Sequence, residues 1–158
     1  MYIVFTCIVF LGAMVFQTSL LRYVSIGGVR PDLVLIIVVY LGLVRGPDAG
    51  SFSGFVFGLF EDAYSGGLLG ANALIKTMLG FACGLLGKRL YTQSLLTHIL
   101  CVGIGTVANV AILSSIHGFA PEWRTILIYE MLYNLLCCPV IVAIYRYGER
   151  YLKPKTPS

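Results

Sequence analysis

The chain has 158 residues, of which 58% are hydrophobic and 11% charged, with a formal net charge of +4. A soluble domain carries roughly 25% charged residues, so this composition excludes an ordinary water-soluble fold. The basic residues are spread along loops and a tail instead of forming one patch, which excludes a nucleic-acid-binding surface. The chain reads as an all-α integral membrane protein.

Crossing the hydrocarbon layer takes about 20 mostly apolar residues, and the uncharged run from Tyr2 to Leu21 meets that requirement. It lacks a basic leading segment, and Leu20 to Tyr23 offer no small-residue cleavage site, so it reads as a retained helix and not a signal peptide. The remaining predicted helices are Leu33 to Val44, Ala49 to Phe60, Leu68 to Gly87, Leu95 to Ile116 and Ile126 to Tyr145. The second and third are short, about 12 residues each. Either Arg30 to Asp32 and Glu61 to Asp62 are drawn to the membrane interface, or the two helices form a tight hairpin. Six transmembrane helices make one polytopic domain over residues 1–147, and residues 148–158 form a short basic tail. Six crossings put Arg45, Lys88, Arg89, Arg146, Arg150, Lys153 and Lys155 on one side and Arg22, Arg30 and Arg124 on the other. Basic residues are retained in the cytoplasm, so both termini are predicted there. Tyr23, Tyr91, Trp123 and Tyr145 fall near helix ends as interface anchors, and Pro139 is placed to kink the sixth helix.

Between the first and fourth helices, a small or acidic residue returns at every fourth position: Gly46, Gly50, Gly54, Gly58, Asp62, Gly66 and Gly70. Residues four apart share a helix face, so the glycines form a groove that another helix backbone can approach closely. Phe52, Phe55, Phe57 and Phe60 flank the groove as bulky knobs. This face is predicted to pack helices or bind a partner, and Gly80 and Gly84 suggest the same role on the fourth helix. Asp62 extends the row as the mouth of a site, a strut between helices, or the mark of a helix end.

The polar residues inside the spans form a second pattern. Asn72 and Lys76 are four apart on the fourth helix, as are Glu130 and Asn134 on the sixth, and Gln17 and Asp62 belong to the outer ends of the first and third. Lys76 falls about 12 Å below the start of its helix near Leu68. An outward-facing cluster of Gln17, Asp62, Asn72, Lys76, Glu130 and Asn134 is predicted, with Lys76 paired to Glu130 or Asp62, because an isolated charge at that depth costs at least about 2.5 kcal/mol. The competing reading is purely structural: interhelical hydrogen bonds of about 0.6 kcal/mol each holding the helices in register, with Asn109 as another strut. Cys7, Cys83, Cys101, Cys137 and Cys138 lie in apolar spans without a ligand spacing and read as small hydrophobes. His98 and His117 belong to opposite sides, at an interface or in a loop. No metal site or cofactor is predicted. Ser53, Ser114 and Ser115 lack a neighbouring base, and the glycine-rich stretch lacks the Gly-Lys-Ser ending of a phosphate loop, so the chain does not read as an enzyme.

Pro31-Asp32-Leu33-Val34-Leu35, followed by Arg45-Gly46, Gly50, Gly54-Phe55, Gly58-Leu59, Asp62 and Gly70, resembles the rod shape-determining protein MreD family. The resemblance implies a bacterial inner-membrane scaffold without a reaction of its own. Its partners would be the bitopic protein MreC, the MreB filament, and the rod-type glycosyltransferase and penicillin-binding transpeptidase of lateral peptidoglycan synthesis. That family is similar in architecture to the substrate-binding subunits of energy-coupling factor transporters, six-helix proteins with an outward-facing pocket. The alternative function is therefore a vitamin-like small-molecule binding subunit of a transporter. It is the weaker reading, because the loops supply only Glu122, Trp123 and Arg124 together. A proton-coupled carrier using Glu130 or Asp62 is weaker still, since no inverted repeat is evident.

Overall fold

The run from Leu33 to Leu43 has no polar face, and a helix that is apolar all round belongs in the interior. In the computed structural model every residue of that run is buried. The structure describes residues 2–19, 31–65, 69–118 and 121–152. Leu20 to Arg30, with Arg22 and the anchor Tyr23, lie outside the described residues, as do Gly66, Leu68, Lys153, Lys155 and the side chain of His117. The helices are α1 (Tyr2–Ser19), α2 (Leu33–Arg45), α3 (Pro47–Ser65), α4 (Ala71–Gly87), α5 (Leu95–His117) and α6 (Trp123–Leu152). α2 is the central post and touches all five others.

Of the two options for the short helices, the tight hairpin is the one adopted. Only Gly46 separates α2 from α3. Its φ of 96° lies in the left-handed region that favours glycine, and its amide donates to the Gly42 carbonyl at 2.9 Å. Pro47 then opens α3, where its missing N–H costs nothing. Because α3 starts at Pro47 and runs to Ser65, Glu61 and Asp62 lie inside it instead of at its end. α6 also exceeds its predicted span: Pro139 lies within the helix, which passes through residue 147 and ends at Leu152.

The tightest packing is between α3 and α4. A Cβ on Gly54 would fall on the Lys76 carbonyl, one on Gly58 on the backbone of Ala73, and one on Gly50 on the carbonyl of Gly80. The glycine face of α3 is thus filled by α4 of the same chain, with Gly80 and Gly84 answering it and Gly42 of α2 closing the third side. Phe57 points inward and stacks on Phe10 of α1, with ring centroids 4.0 Å apart, whereas Phe52, Phe55 and Phe60 face outward. Two residues expected near the membrane interface are interior ones. Tyr145 is fully buried against Tyr40, and His98 is buried with Nδ1 bonded to the Ser94 carbonyl at 2.9 Å.

α5 and α6 are long and apolar enough to cross a membrane, while α1, α2 and α4 are shorter apolar helices. At 1.5 Å per residue α2 reaches only about 20 Å of the roughly 30 Å hydrocarbon layer. Its first turn therefore starts within the bundle. Gly54→Ala is expected to lower the stability of the detergent-solubilised protein by about 1–3 kcal/mol, the usual range for overpacking. Gly103→Ala serves as its control, because a Cβ there meets only the flexible end of Met131 at 3.7 Å. Equal thermal midpoints for the two variants would contradict the close α3–α4 contact.

Candidate functional site

Starting α2 inside the bundle brings its cap with it. Asp32 is the N-cap residue, and one carboxylate oxygen accepts the Leu35 amide at 2.8 Å. Its other oxygen lies 2.9 Å from Nζ of Lys76 on α4 and accepts from the Asn109 amide of α5 at 3.4 Å. The Asp32 amide donates to the side-chain oxygen of Asn134 on α6 at 2.8 Å. Asn134 in turn donates to the Thr106 hydroxyl at 2.9 Å, and that hydroxyl donates to the Val102 carbonyl. On the opposite side Lys76 pairs with Glu61 of α3, which also accepts from Gln17 of α1 at 3.5 Å. Each of the six helices contributes at least one side chain. Lys76, Thr106 and Asn134 are wholly shielded from solvent, and Asp32 nearly so.

The Lys76 ammonium is paired with a carboxylate on each of two sides, so it is nowhere left isolated in the low-dielectric interior. A buried charge is tolerated only when it is paired and its remaining hydrogen-bonding capacity is met.

Gln17, Lys76 and Asn134 are brought together here with Glu130 at the edge, but Asp62 and Asn72 are not part of the group and the partners predicted for Lys76 are not the ones it has. Asp62 does not pair with Lys76. Its carboxylate accepts the amides of Gly70, Asn72 and Ala73 at 2.9, 3.1 and 3.0 Å, and the Asn72 side chain at 2.9 Å. It caps α4 from the neighbouring helix, where free amides and the helix dipole favour an anion. Gly70, which begins that helix with φ 96°, has no side chain to do so. Asn72 belongs to this cap. Glu130 makes no ion pair with Lys76, but it joins the cluster's edge through a hydrogen bond with Asn109, and it also lines an opening with Leu113, Ser114 and Trp123.

The pairing expected for Lys76 fails because it assumed helices of equal depth. Asp32 and Glu61, which fill the role, carried sequence signals. Asp32 caps a helix without a polar face, so its cap follows it inside. Glu61 lies seven residues from Gly54 and three from Gly58, on the flank of the packed face. The glycine row divides in the same way. Gly50, Gly54 and Gly58 are consumed by α4, Gly46 and Gly70 serve turns with open space at the Cβ position, and Phe55 points away from the bundle. The groove is not left free for a partner helix.

An opening of about 240 Å³ lined by Met14, Gln17, Thr18, Glu61, Tyr64 and Ser65 reaches the edge of the cluster. Glu61 is already engaged there by Lys76 and Gln17, so the arrangement ties helices together and does not present a free charge to a ligand.

Six helices drawn onto one interior charge cluster, with apolar side chains facing outward, define an integral membrane protein organised from within. A family model for the rod shape-determining protein MreD matches residues 1–147, and the chain belongs to that family. It is a family of membrane proteins that determine cell shape, not one defined by a reaction. Comparisons with curated proteins and with solved structures find no match.

Lys76→Met leaves two carboxylates facing each other and is expected to cost about 3–5 kcal/mol, as for a broken buried pair. Adding Glu61→Gln should recover part of the loss, while adding Glu130→Gln, which touches Lys76 only through Asn109 and Asp32, should recover less. Thermal melts and membrane yields of the three proteins decide the matter, and recovery by Glu130→Gln instead would refute the Asp32–Lys76–Glu61 arrangement.

Proposed function

We propose that the protein is a non-catalytic scaffold of the bacterial rod complex, a multi-pass protein of the inner membrane with both termini in the cytoplasm. It binds MreC through a helix face. Through MreC it connects the MreB filament to the glycosyltransferase and transpeptidase that extend lateral peptidoglycan.

The observation that carries this reading is the concave surface left over once the interior is satisfied. Between α1 and α6, over the first turn of α2, lies an apolar groove of about 500 Å³ lined by Val9, Gly12, Ala13, Leu33, Cys137 and Ile141 among others. α1 leans on α2 and touches α6 only lightly, and a Cβ on Gly12 would meet nothing. In a bilayer such a surface suits a transmembrane segment: small residues let a backbone come close, and dispersion replaces the hydrophobic effect as the driving force. The single-pass MreC is the matching partner.

A fold like that of the energy-coupling factor substrate-binding subunits remains part of the proposal, with their pocket taken over by protein side chains. Vitamin binding is disfavoured. The polar opening beside Gln17 and Glu61 is about 240 Å³, below the usual 300–1,000 Å³ of a small-molecule site, and its one charged group is engaged.

Affinity purification from the native host, comparing wild type with Gly12→Leu, tests the proposal. Leucine enters open space, so the melting temperature should hold while MreC and the synthases disappear from the eluate. MreC recovered undiminished would rule out the α1–α6 groove. A transporter ATPase or a bound vitamin in the wild-type eluate would replace the scaffold by the alternative.

A further inference from the structure

At the end of α2 away from the charged cluster, a cavity of about 300 Å³ is lined by Tyr40, Val44, Thr92, Gln93, Arg146 and Arg150, together with Glu149. Arg146 donates to the Gln93 carbonyl at 2.7 Å. That bond holds the guanidinium at the cavity wall and leaves most of its five N–H donors for another acceptor. Glu149 is engaged by Arg45 at 3.4 Å. Arg150 has no acidic partner among the described residues. The cavity lining therefore holds two guanidiniums against one carboxylate, and that carboxylate is shared with Arg45. Its floor is rigid: the Tyr40 ring is stacked on His98 and packed against Tyr145, with centroids 5.4 and 4.6 Å away, and all three residues are buried. Nε2 of His98 has no hydrogen-bond partner, which leaves unsatisfied polar capacity one ring beneath the cavity.

We propose that this cavity binds a phosphate group, presented by the head of an anionic phospholipid. Two arginine forks match phosphate oxygens in shape and charge, and Thr92 and Gln93 add neutral donors. Position favours a lipid over a soluble anion. Arg45, Lys88, Arg89, Arg146 and Arg150 sit at this one end of the bundle, against Asp48 and Glu149. Basic residues at that level meet the anionic headgroups of the cytoplasmic leaflet.

The test uses the full chain in phosphatidylcholine nanodiscs doped with phosphatidylglycerol, with retained lipid counted by native mass spectrometry. Wild type should keep phosphatidylglycerol over phosphatidylcholine. Arg150→Gln should weaken retention about fivefold, and adding Arg146→Gln should weaken it about 25-fold, following the usual contribution of one basic side chain at an anionic surface. Arg150 is exposed and makes no ion pair, so its variant leaves the fold intact even if the Arg146 change does not. Lys88→Gln with Arg89→Gln, at the same end but outside the cavity, should change retention little. Displacement of the lipid by inorganic phosphate alone, with the same dependence on Arg150, would keep the phosphate site and assign it to a soluble source. Equal retention of the two lipids, an unaltered Arg150→Gln protein, or an equal loss on changing Lys88 and Arg89 would overturn the proposal.

Discussion

The ammonium of Lys76 is fully shielded, and the arrangement of the helices around it follows from the need to neutralise it there. Water cannot solvate it and lipid will not. Asp32 must arrive from the start of α2 and Glu61 from the last turns of α3, and each carboxylate needs its own amide donors from the remaining helices. The depth of α2, the extension of α3 beyond its apolar stretch and the facing of α1, α5 and α6 are thereby set together. Individually these contacts are worth little in a bilayer. Their effect comes from sharing one centre, so that a shift of any helix leaves a charge or an amide without its partner.

Glycine supplies the second constraint, and it acts through distance instead of charge. Lys76 can reach two helices at once only because α4 lies in backbone contact with α3, where a single methyl at Gly54 would strike the carbonyl of Lys76 itself. Close packing and ion pairing thus meet at one residue. Asp62, one residue from Glu61, serves neither directly. It seals the start of α4 and fixes the height at which Lys76 enters.

Hydropathy is enough to count the helices, because each contains an apolar run, long or short, set off by charged or turn residues. It misplaced the ends of α3 and α6, where charged residues are tolerated within a helix that is paired or extends past the apolar layer. The glycine period marked a close-packing face, but period alone cannot say whether the facing backbone belongs to the same chain. Gln17, Lys76 and Asn134 were recognisable as polar residues in apolar surroundings. Their partners are harder to read, since pairing depends on relative depth, which the apolar, faceless run after Asp32 signals only indirectly. His98 and Tyr145 depart from expectation for a related reason: a position near the end of a span suggests the interface, whereas at that end of the bundle they build an aromatic floor under Tyr40.

The order of charges along the chain bears on biogenesis. Asp32 and Glu61 precede Lys76, so both carboxyls of a nascent polypeptide are synthesised before the ammonium with which they pair. α2, too short to span and wrapped on every side, gains nothing from lipid while it waits. The α2–α3 hairpin thus precedes in the chain the helix that carries the ammonium its carboxylates are paired with. Both its counter-charge, Lys76, and the glycines that meet its packed face, Gly80 and Gly84, come from α4.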